Sequence, residues 1–335
     1  MAKVKFGDVV KDVKINVDRS NNPYDRYIAG DHMDSEDLTL RRCGYFETDD
    51  VGPAFVRIFK PGQVLYGSRR TYLKKVAVAD FEGITANTTF VFETKDDNVF
   101  CQRLLPFLML SEDFTKYSIR KSKGSTNPYV LFSDLADYEF ELPSIEEQRV
   151  LADKLWAAYE LKEAYKKMIA ATDEMVKSQF IEMFKDCNRV PLGDICNIEK
   201  GATITRNDVL PGEVPVVAGG QEPSCYHNVA NRIAGAITVS ASGAYAGFIN
   251  FWDCPIFASD CNTIISKDDE KTDQTFIYFG LKAMQKQIYG LQKGGAQPHV
   301  YGKDLQKFMF PYPPYAKQIE FSKMAKQADK SKYIS

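Results

Sequence analysis

The longest unbroken helical pattern lies between Ser144 and Phe184, where about forty residues pass without a Gly or Pro. Leu151, Leu155, Ala158, Tyr165, Ile169, Thr172, Val176 and Met183 follow steps of four and three, interrupted by Lys162 and Gln179, which is the seam of a coiled coil. Pro143 stops the preceding segment, and Ser144 with Glu147 three positions on forms a capping box. The pattern predicts a helix over 144–187, roughly 60 Å long at ~1.5 Å per residue. That is too long for the core of one domain, so it is expected to act as a spacer or dimerising helix between two globular parts.

On both sides of it the apolar period shortens to that of strands. Ala54 to Phe59, Gln63 to Tyr66, Lys75 to Ala79 and Thr88 to Phe92 read as strands divided by turns at Lys60-Pro61-Gly62, Gly67 and Glu82-Gly83. Gln102 to Leu110 and Phe114 to Ile119 read as helix. The plan recurs after the long helix, with strands at Gly235 to Ser240, Ala246 to Phe251 and Asn262 to Ser266 and a helix through Phe276 to Ile288. Short motifs recur with it. Val4-Lys-Phe-Gly-Asp8 is echoed by Val190-Pro-Leu-Gly-Asp194, Tyr72 ten residues after Gly62 by Tyr245 ten after Gly235, and Asn87-Thr88 by Asn262-Thr263. Lys123-Gly124, Pro128, Val130, Asp134-Leu135, Pro143 and Gln148 return as Lys293-Gly294, Pro298, Val300, Asp304-Leu305, Pro313 and Gln318, at a constant offset of 170. The expected organisation is therefore a mixed α/β (α+β) domain over 1–143, the helix over 144–187, a second similar domain over 188–313 and a shorter helix over 314–335.

A chain of 335 residues with 44% hydrophobic and 13% aromatic content can fill two ordinary cores. No apolar run approaches the length of a membrane span and the first residues carry no signal-like stretch, so a cytoplasmic protein without membrane association is expected. Seven cysteines without a Cys-x-x-Cys pair, and only three histidines, support neither a disulfide framework nor a metal site. Net charge is −2, but local patches decide binding to nucleic acid. Gly67 to Lys75 holds Arg69, Arg70, Lys74 and Lys75 without an acid, and Phe114 to Ser133 holds Lys116, Arg120, Lys121 and Lys123 likewise.

With the doubled Gly-Asp opening and the doubled segment from Lys-Gly to Asp-Leu, Pro and Gln, the chain resembles the DNA specificity (S) subunits of type I restriction-modification systems, over essentially its whole length. The resemblance implies two target-recognition domains, each followed by a long helix, the helices pairing as an antiparallel coiled coil. It implies double-stranded DNA as ligand, and as partners the methyltransferase (M) subunits and a restriction and motor (R) subunit. S-adenosylmethionine, ATP and Mg would belong to those partners, with no cofactor bound by this chain. The second helix departs from the pattern, being about half the length of the first and lacking a capping box.

Catalytic signals are weak by comparison. Tyr312-Pro-Pro-Tyr315 resembles the Asn-Pro-Pro-Tyr loop of amino-methyltransferases but puts Tyr312, which supplies no amide or carboxylate, where that chemistry needs an Asn, Asp or Ser side chain. Ser240 to Gly247 is glycine-rich without the spacing of a phosphate loop, and no Pro-Asp with Glu-x-Lys element for DNA cleavage is present. The chain is expected to be non-catalytic. DNA reading suits the remaining residues, because Arg, Asn and Gln match base edges while Lys, Ser and backbone N–H groups hold phosphates. Candidates in the first domain are Arg69, Arg70, Tyr72 and Lys74 on one loop and Lys123, Ser125, Thr126 and Asn127 on another. In the second they are Ser240, Ser242 and Tyr245, then Lys293, Gln297 and His299, with Lys200, Thr203 and Arg206 nearer its start. Different residues at matching positions are what readers of two half-sites require. Leu151, Leu155, Tyr165, Ile169, Val176, Phe180 and Met183 are candidates for a subunit interface. If the short second helix leaves the distal part of that seam uncovered, self-association through the long helix follows. The alternative reading is a non-catalytic assembly scaffold, or a dimerising DNA-binding protein without a methyltransferase partner.

Overall fold

A computed structural model of the chain describes residues 2–331. Met1 and positions 332–335, where the expected second helix ends, lie outside the described residues. The chain divides into two compact units, Met1–Lys162 and Glu163–Ser335. One helix, Ile145–Phe184, is forty residues long and contributes its first turns to the first unit and its last turns to the second. It starts where the capping box put it. The Ser144 N–H donates to the Glu147 carboxylate at 2.9 Å, and the Glu147 N–H donates to Ser144 Oγ at 3.3 Å.

Both units are built on the same sheets. In the first, Val10–Asp12, Thr89–Thr94, Val64–Gly67 and Val76–Val78 lie side by side in that order, all antiparallel. In the second, Cys196–Lys200, Cys261–Ser266, Ala236–Ser240 and Ile249–Trp252 lie in the matching order with the same sense. A second sheet also recurs. Gly44–Tyr45, Arg26–Ile28 and Gly83–Ala86 correspond to Cys225–His227, Val214–Val217 and Phe257–Ala258, each with one antiparallel and one parallel pairing. Among the described residues, only the first unit adds a fourth strand, Phe55–Phe59, to this sheet. A short ribbon closes each unit, Lys3 against Glu141 in one and Val190 against Phe310 in the other.

Two sequence expectations shift in detail. The strand expected from Ala246 begins only at Ile249, because Ala246 and Gly247 close a turn in which the Gly247 N–H donates to the Ser240 carbonyl. The helix expected through Phe276 to Ile288 breaks at Met284 into Gln274–Ala283 and Gln285–Tyr289. The Asn87-Thr88 echo is corrected by strand register. Thr89 pairs with Gly67 and Cys261 with Ser240, so Thr88 corresponds to Asp260 and not to Thr263.

The aromatic residues sit where the helices meet these sheets. Phe6, Tyr66, Phe92 and Phe114 form the centre of the first core, with rings 5.3–6.1 Å apart. In the second unit Phe180 and Phe184 of the long helix pack on Phe276, Phe310 and Phe321. Phe321 belongs to the C-terminal helix, Tyr315–Ser331. Its start lies beside Phe180 and Phe184, while Asp329 near its end lines one groove with Asp173 and Lys177, so the two helices run antiparallel.

This packing corrects part of the expected interface. Val176 and Phe180 are buried inside the second unit's own core and Met183 packs against it, so they do not lie open to another chain. Leu155 packs against the first unit's core and Tyr165 is half-buried. Leu151 and Ile169 remain exposed. The exposed apolar side chains that recur at heptad spacing are instead Leu161, Met168 and Met175.

Candidate nucleic-acid interface

Each unit carries two loops zipped together by the same backbone bonds. In the first, the Arg70 N–H donates to the Pro128 carbonyl at 2.6 Å and the Val130 N–H to the Ser68 carbonyl at 2.9 Å. Lys123 and Tyr129 exchange a pair of backbone bonds at 2.8 and 2.9 Å. In the second, the Gly243 N–H donates to Pro298 at 3.1 Å, the Val300 N–H to Ala241 at 2.9 Å, and Lys293 and His299 exchange their pair at 2.9 and 2.8 Å. The loop that follows Lys-Gly turns on a left-handed glycine in both units, Gly124 at φ +89° and Gly294 at φ +96°. Each leading lysine is anchored: Lys123 to Asp134 at 3.0 Å, Lys293 to Asp304 at 2.7 Å. Hydrogen bonds from these lysines hold both carboxyls below the usual carboxylate range.

The paired loops gather most of the expected residues. Arg69, Arg70, Tyr72, Lys123, Ser125, Thr126 and Asn127 are exposed on the first pair, and Tyr245, Lys293 and Gln297 on the second. His299 is half-buried and stacks on Tyr301 with ring centroids 6.0 Å apart. Lys200 is exposed at the end of its strand, and Thr203 and Arg206 are exposed along the loop that follows, which begins where the Gly201 N–H donates to the Cys261 carbonyl, next to Asp260. Asp260 accepts a hydrogen bond from Ser242 Oγ, so this loop starts beside the Ser242–His299 bridge.

Three expected readers are otherwise employed. Ser240 is buried at the end of an interior strand, where it pairs with Cys261. Ser242 spends its hydroxyl on Asp260. Lys74 turns away from the loop tip to meet Glu36 at 2.5 Å, the acid lying far upstream of the basic run. Sequence reasoning also missed one residue. Tyr129 is 42% exposed, between Arg69 and Lys123 in the ladder, and Tyr72 on the facing loop is 53% exposed. The constant offset of 170 that links Tyr129 to His299 was the available signal.

Backbone conformation separates the two readers. Among the described residues only Glu36, Arg70 and Lys74 are non-glycine with positive φ, at 55°, 50° and 47°. The positions matching Arg70 and Lys74 in the second unit are Gly243 and Gly247, at φ +82° and +89°. The same turn is thus made freely in one unit and under strain in the other, where both strained side chains are basic. Left-handed backbone costs a side chain about 1–2 kcal/mol, and glycine's extra freedom in the unfolded chain costs about 0.4–1 kcal/mol. Arg70→Gly is therefore expected to stabilise the first unit by about 0.5–1 kcal/mol, read by equilibrium denaturation. A loss of stability would contradict the strain.

The chemistry on offer is recognition. Guanidinium, amide and phenol groups crown ladders of fixed backbone, which suits base edges, phosphates and stacking. Among the described residues no three or more His, Cys, Asp or Glu side chains are grouped to hold a metal ion, and no helix is long and apolar enough to cross a membrane.

Comparison with known proteins agrees with this reading. A family model described as the type I restriction modification DNA specificity domain matches residues 56–170 and 185–333. The type I restriction enzyme EcoDI specificity subunit of Escherichia coli is 23% identical over 166 residues, a stretch spanning 49% of this chain and about a third, 35%, of that relative. Two solved structures share the fold. The type I restriction-modification S subunit from M. genitalium is 15% identical with a TM-score of 0.64, over 99% of this chain and 90% of that one. A chain from a structure of complex assembly and conformational transition of the type I R-M system is 18% identical with a TM-score of 0.50, over the same shares.

Proposed function

Because the chain belongs to the type I restriction-modification DNA specificity family, we propose that it is the sequence-reading subunit of such a complex, recognising a bipartite DNA site through its two loop pairs. The observation that carries this is the duplicated ladder: identical backbone bonds present Arg69, Arg70 and Asn127 in one unit and Gly243 and Gln297 in the other. A common frame with different side chains suits two half-sites of different sequence. The chain itself performs no bond-making step. Methyltransferase subunits, supplied with S-adenosylmethionine, modify adenine at the site it selects, and a restriction subunit using ATP and Mg cuts DNA that lacks the mark, all in the cytoplasm. The exposed heptad stripe at Leu161, Met168 and Met175 suits docking of those subunits on the long helix.

Selection of duplexes from a randomised pool, by the chain in complex with its methyltransferase subunits, returns a two-part motif on this reading. Arg69→Ala then costs about 1–3 kcal/mol at one base position and leaves the other half-site intact. A uniform loss over all sequences would make Arg69 a phosphate contact, and equal affinity for random and selected duplexes would overturn the reading.

A further inference from the structure

In the first unit the strained reading loop is connected to the long helix by hydrogen bonds linked through short stretches of backbone. Tyr159, on that helix, places its hydroxyl against three successive residues of a surface segment. It donates to Asp37 Oδ1 at 2.6 Å, accepts the Leu38 N–H at 3.0 Å and lies 2.9 Å from Thr39 Oγ1. Arg41 closes on the same Asp37 carboxylate. Burial alone would raise the Asp37 carboxyl, but the bonds from Tyr159, the Thr39 N–H and Arg41 outweigh it and hold the group below its ordinary value.

The segment passes this anchorage on by two routes. Val78, on the strand that leaves the reading loop, donates its N–H to the Leu38 carbonyl at 2.8 Å, and Thr39 bridges to the same residue. Glu36 donates its N–H to the Lys74 carbonyl at 3.1 Å and takes the Lys74 ammonium at 2.5 Å. Lys74 closes the single turn 71–73 that opens at Arg70, which is itself bonded to Pro128 of the second loop. All three left-handed non-glycine residues belong to this series. Strain of that kind persists only where the surroundings over-determine it.

The second unit fixes its equivalent turn differently. Gly247 stands in place of Lys74, needs no acid to hold it, and offers its carbonyl to the Gln285 side chain at 2.7 Å. The Gln292 side chain donates to the neighbouring Ala246 carbonyl at 2.7 Å. Those glutamines lie in and just beyond the short helix Gln285–Tyr289 and not in the long one.

We propose that Tyr159 is a positioning residue for DNA reading: its hydroxyl, through Asp37–Thr39 and the Glu36–Lys74 pair, sets the Arg70 loop, so that the state of the long helix is felt by the first half-site reader and not by the second. The inference rests on the proposed function, and it assigns that function a regulatory asymmetry. Whatever binds the long helix near Tyr159 biases recognition at one half-site only.

The test uses the full chain carrying Tyr159→Phe, which keeps the ring and removes the hydroxyl, and separately Lys74→Met, which cuts the series further along. Hydrogen exchange without DNA should quicken about fivefold in peptides covering 34–40 and 68–75 for Tyr159→Phe, and in 68–75 for Lys74→Met. Peptides covering 240–248 should not change. Duplex selection with the methyltransferase subunits present should show discrimination falling about five- to tenfold at the half-site sensitive to Arg69→Ala and holding at the other. Unchanged exchange over 68–75 in Tyr159→Phe, or equal loss at both half-sites, overturns the proposal. If the parent chain selects no two-part motif, the DNA-reading function fails, and the exchange measurement still decides whether Tyr159 controls the loop.

Discussion

Arg57→Met lowers the stability of the first unit by about 3–5 kcal/mol, because it strands a buried carboxylate. Arg57 and Asp12 meet at 2.9 Å, with only 9% and 1% of their side chains exposed. The guanidinium also donates to the Thr89 carbonyl at 3.1 Å, and the Val91 N–H donates to Asp12 at 3.3 Å. The pair is imperfect. Asp12 Oδ2 and Arg57 Nε have no hydrogen-bond partner, and Lys14 stands 3.9 Å from Asp12 behind an exposed side chain. Burial therefore prevails over the attraction of Arg57, and the Asp12 carboxyl is raised above its ordinary value. Without Arg57 it rises further. A carboxyl raised in the folded state favours folding where it is protonated and loses that contribution as pH rises through its folded pKa. The defect in Arg57→Met should accordingly ease as pH is lowered through the raised Asp12 pKa. Asp12→Leu combined with Arg57→Met removes both charges and should recover most of the loss, as apolar replacements of buried pairs commonly do. One tryptophan lies in each unit, Trp156 and Trp252, so a Trp252→Phe background reports the first unit alone during denaturation. A loss below about 1 kcal/mol, or a double variant as unstable as the single one, would refute the account.

How much of this could be read from the sequence depended on how local the cause was. The capping box at Ser144 and Glu147 is a contact between residues three apart, and it formed as read. Gly62 and Gly235, matched by their equal spacing to Tyr72 and Tyr245, both adopt left-handed backbone, and the Lys-Gly segments at an offset of 170 fold into matching ladders. Errors arose where the deciding partner was remote. Lys74 sits in a run without acids, yet Glu36 claims it. Ser240 has a reader's chemistry but occupies a buried strand position that only pairing with Cys261 defines. The heptad seam correctly marked an apolar side of the long helix, but periodicity does not say what covers it, and for Val176 and Phe180 the cover is the unit's own core. The Asn-Thr echo failed because two letters tolerate a slip that strand pairing does not.

The duplication makes its strongest demand at Gln148 and Gln318. Each is fully buried in the first turn of its helix, and each makes the same three bonds to backbone. Gln148 accepts the Cys101 N–H at 2.9 Å and donates to the Val99 and Pro143 carbonyls at 3.0 Å each. Gln318 accepts the Asp273 N–H at 2.9 Å and donates to Lys271 at 3.1 Å and Pro313 at 2.9 Å. One amide thus ties the strand that closes each unit, the helix that follows it and the segment opening the helical layer. Leucine fits the volume but leaves one N–H and two carbonyls without partners in the first unit, and one N–H and the Pro313 carbonyl in the second, where the Tyr312 hydroxyl still donates to Lys271 at 3.2 Å; a stranded buried group costs about 1–3 kcal/mol. Gln148→Leu should destabilise the first unit, and Gln318→Leu the second, by roughly 3 kcal/mol each. The tryptophan in each unit reads the two losses separately, with the other tryptophan replaced by phenylalanine. Losses of matching size, each confined to its own unit, follow if the bonds are equivalent. If one substitution is tolerated while the other unfolds its unit, the likeness of the two halves is one of strand order alone, and the helices are anchored by different means.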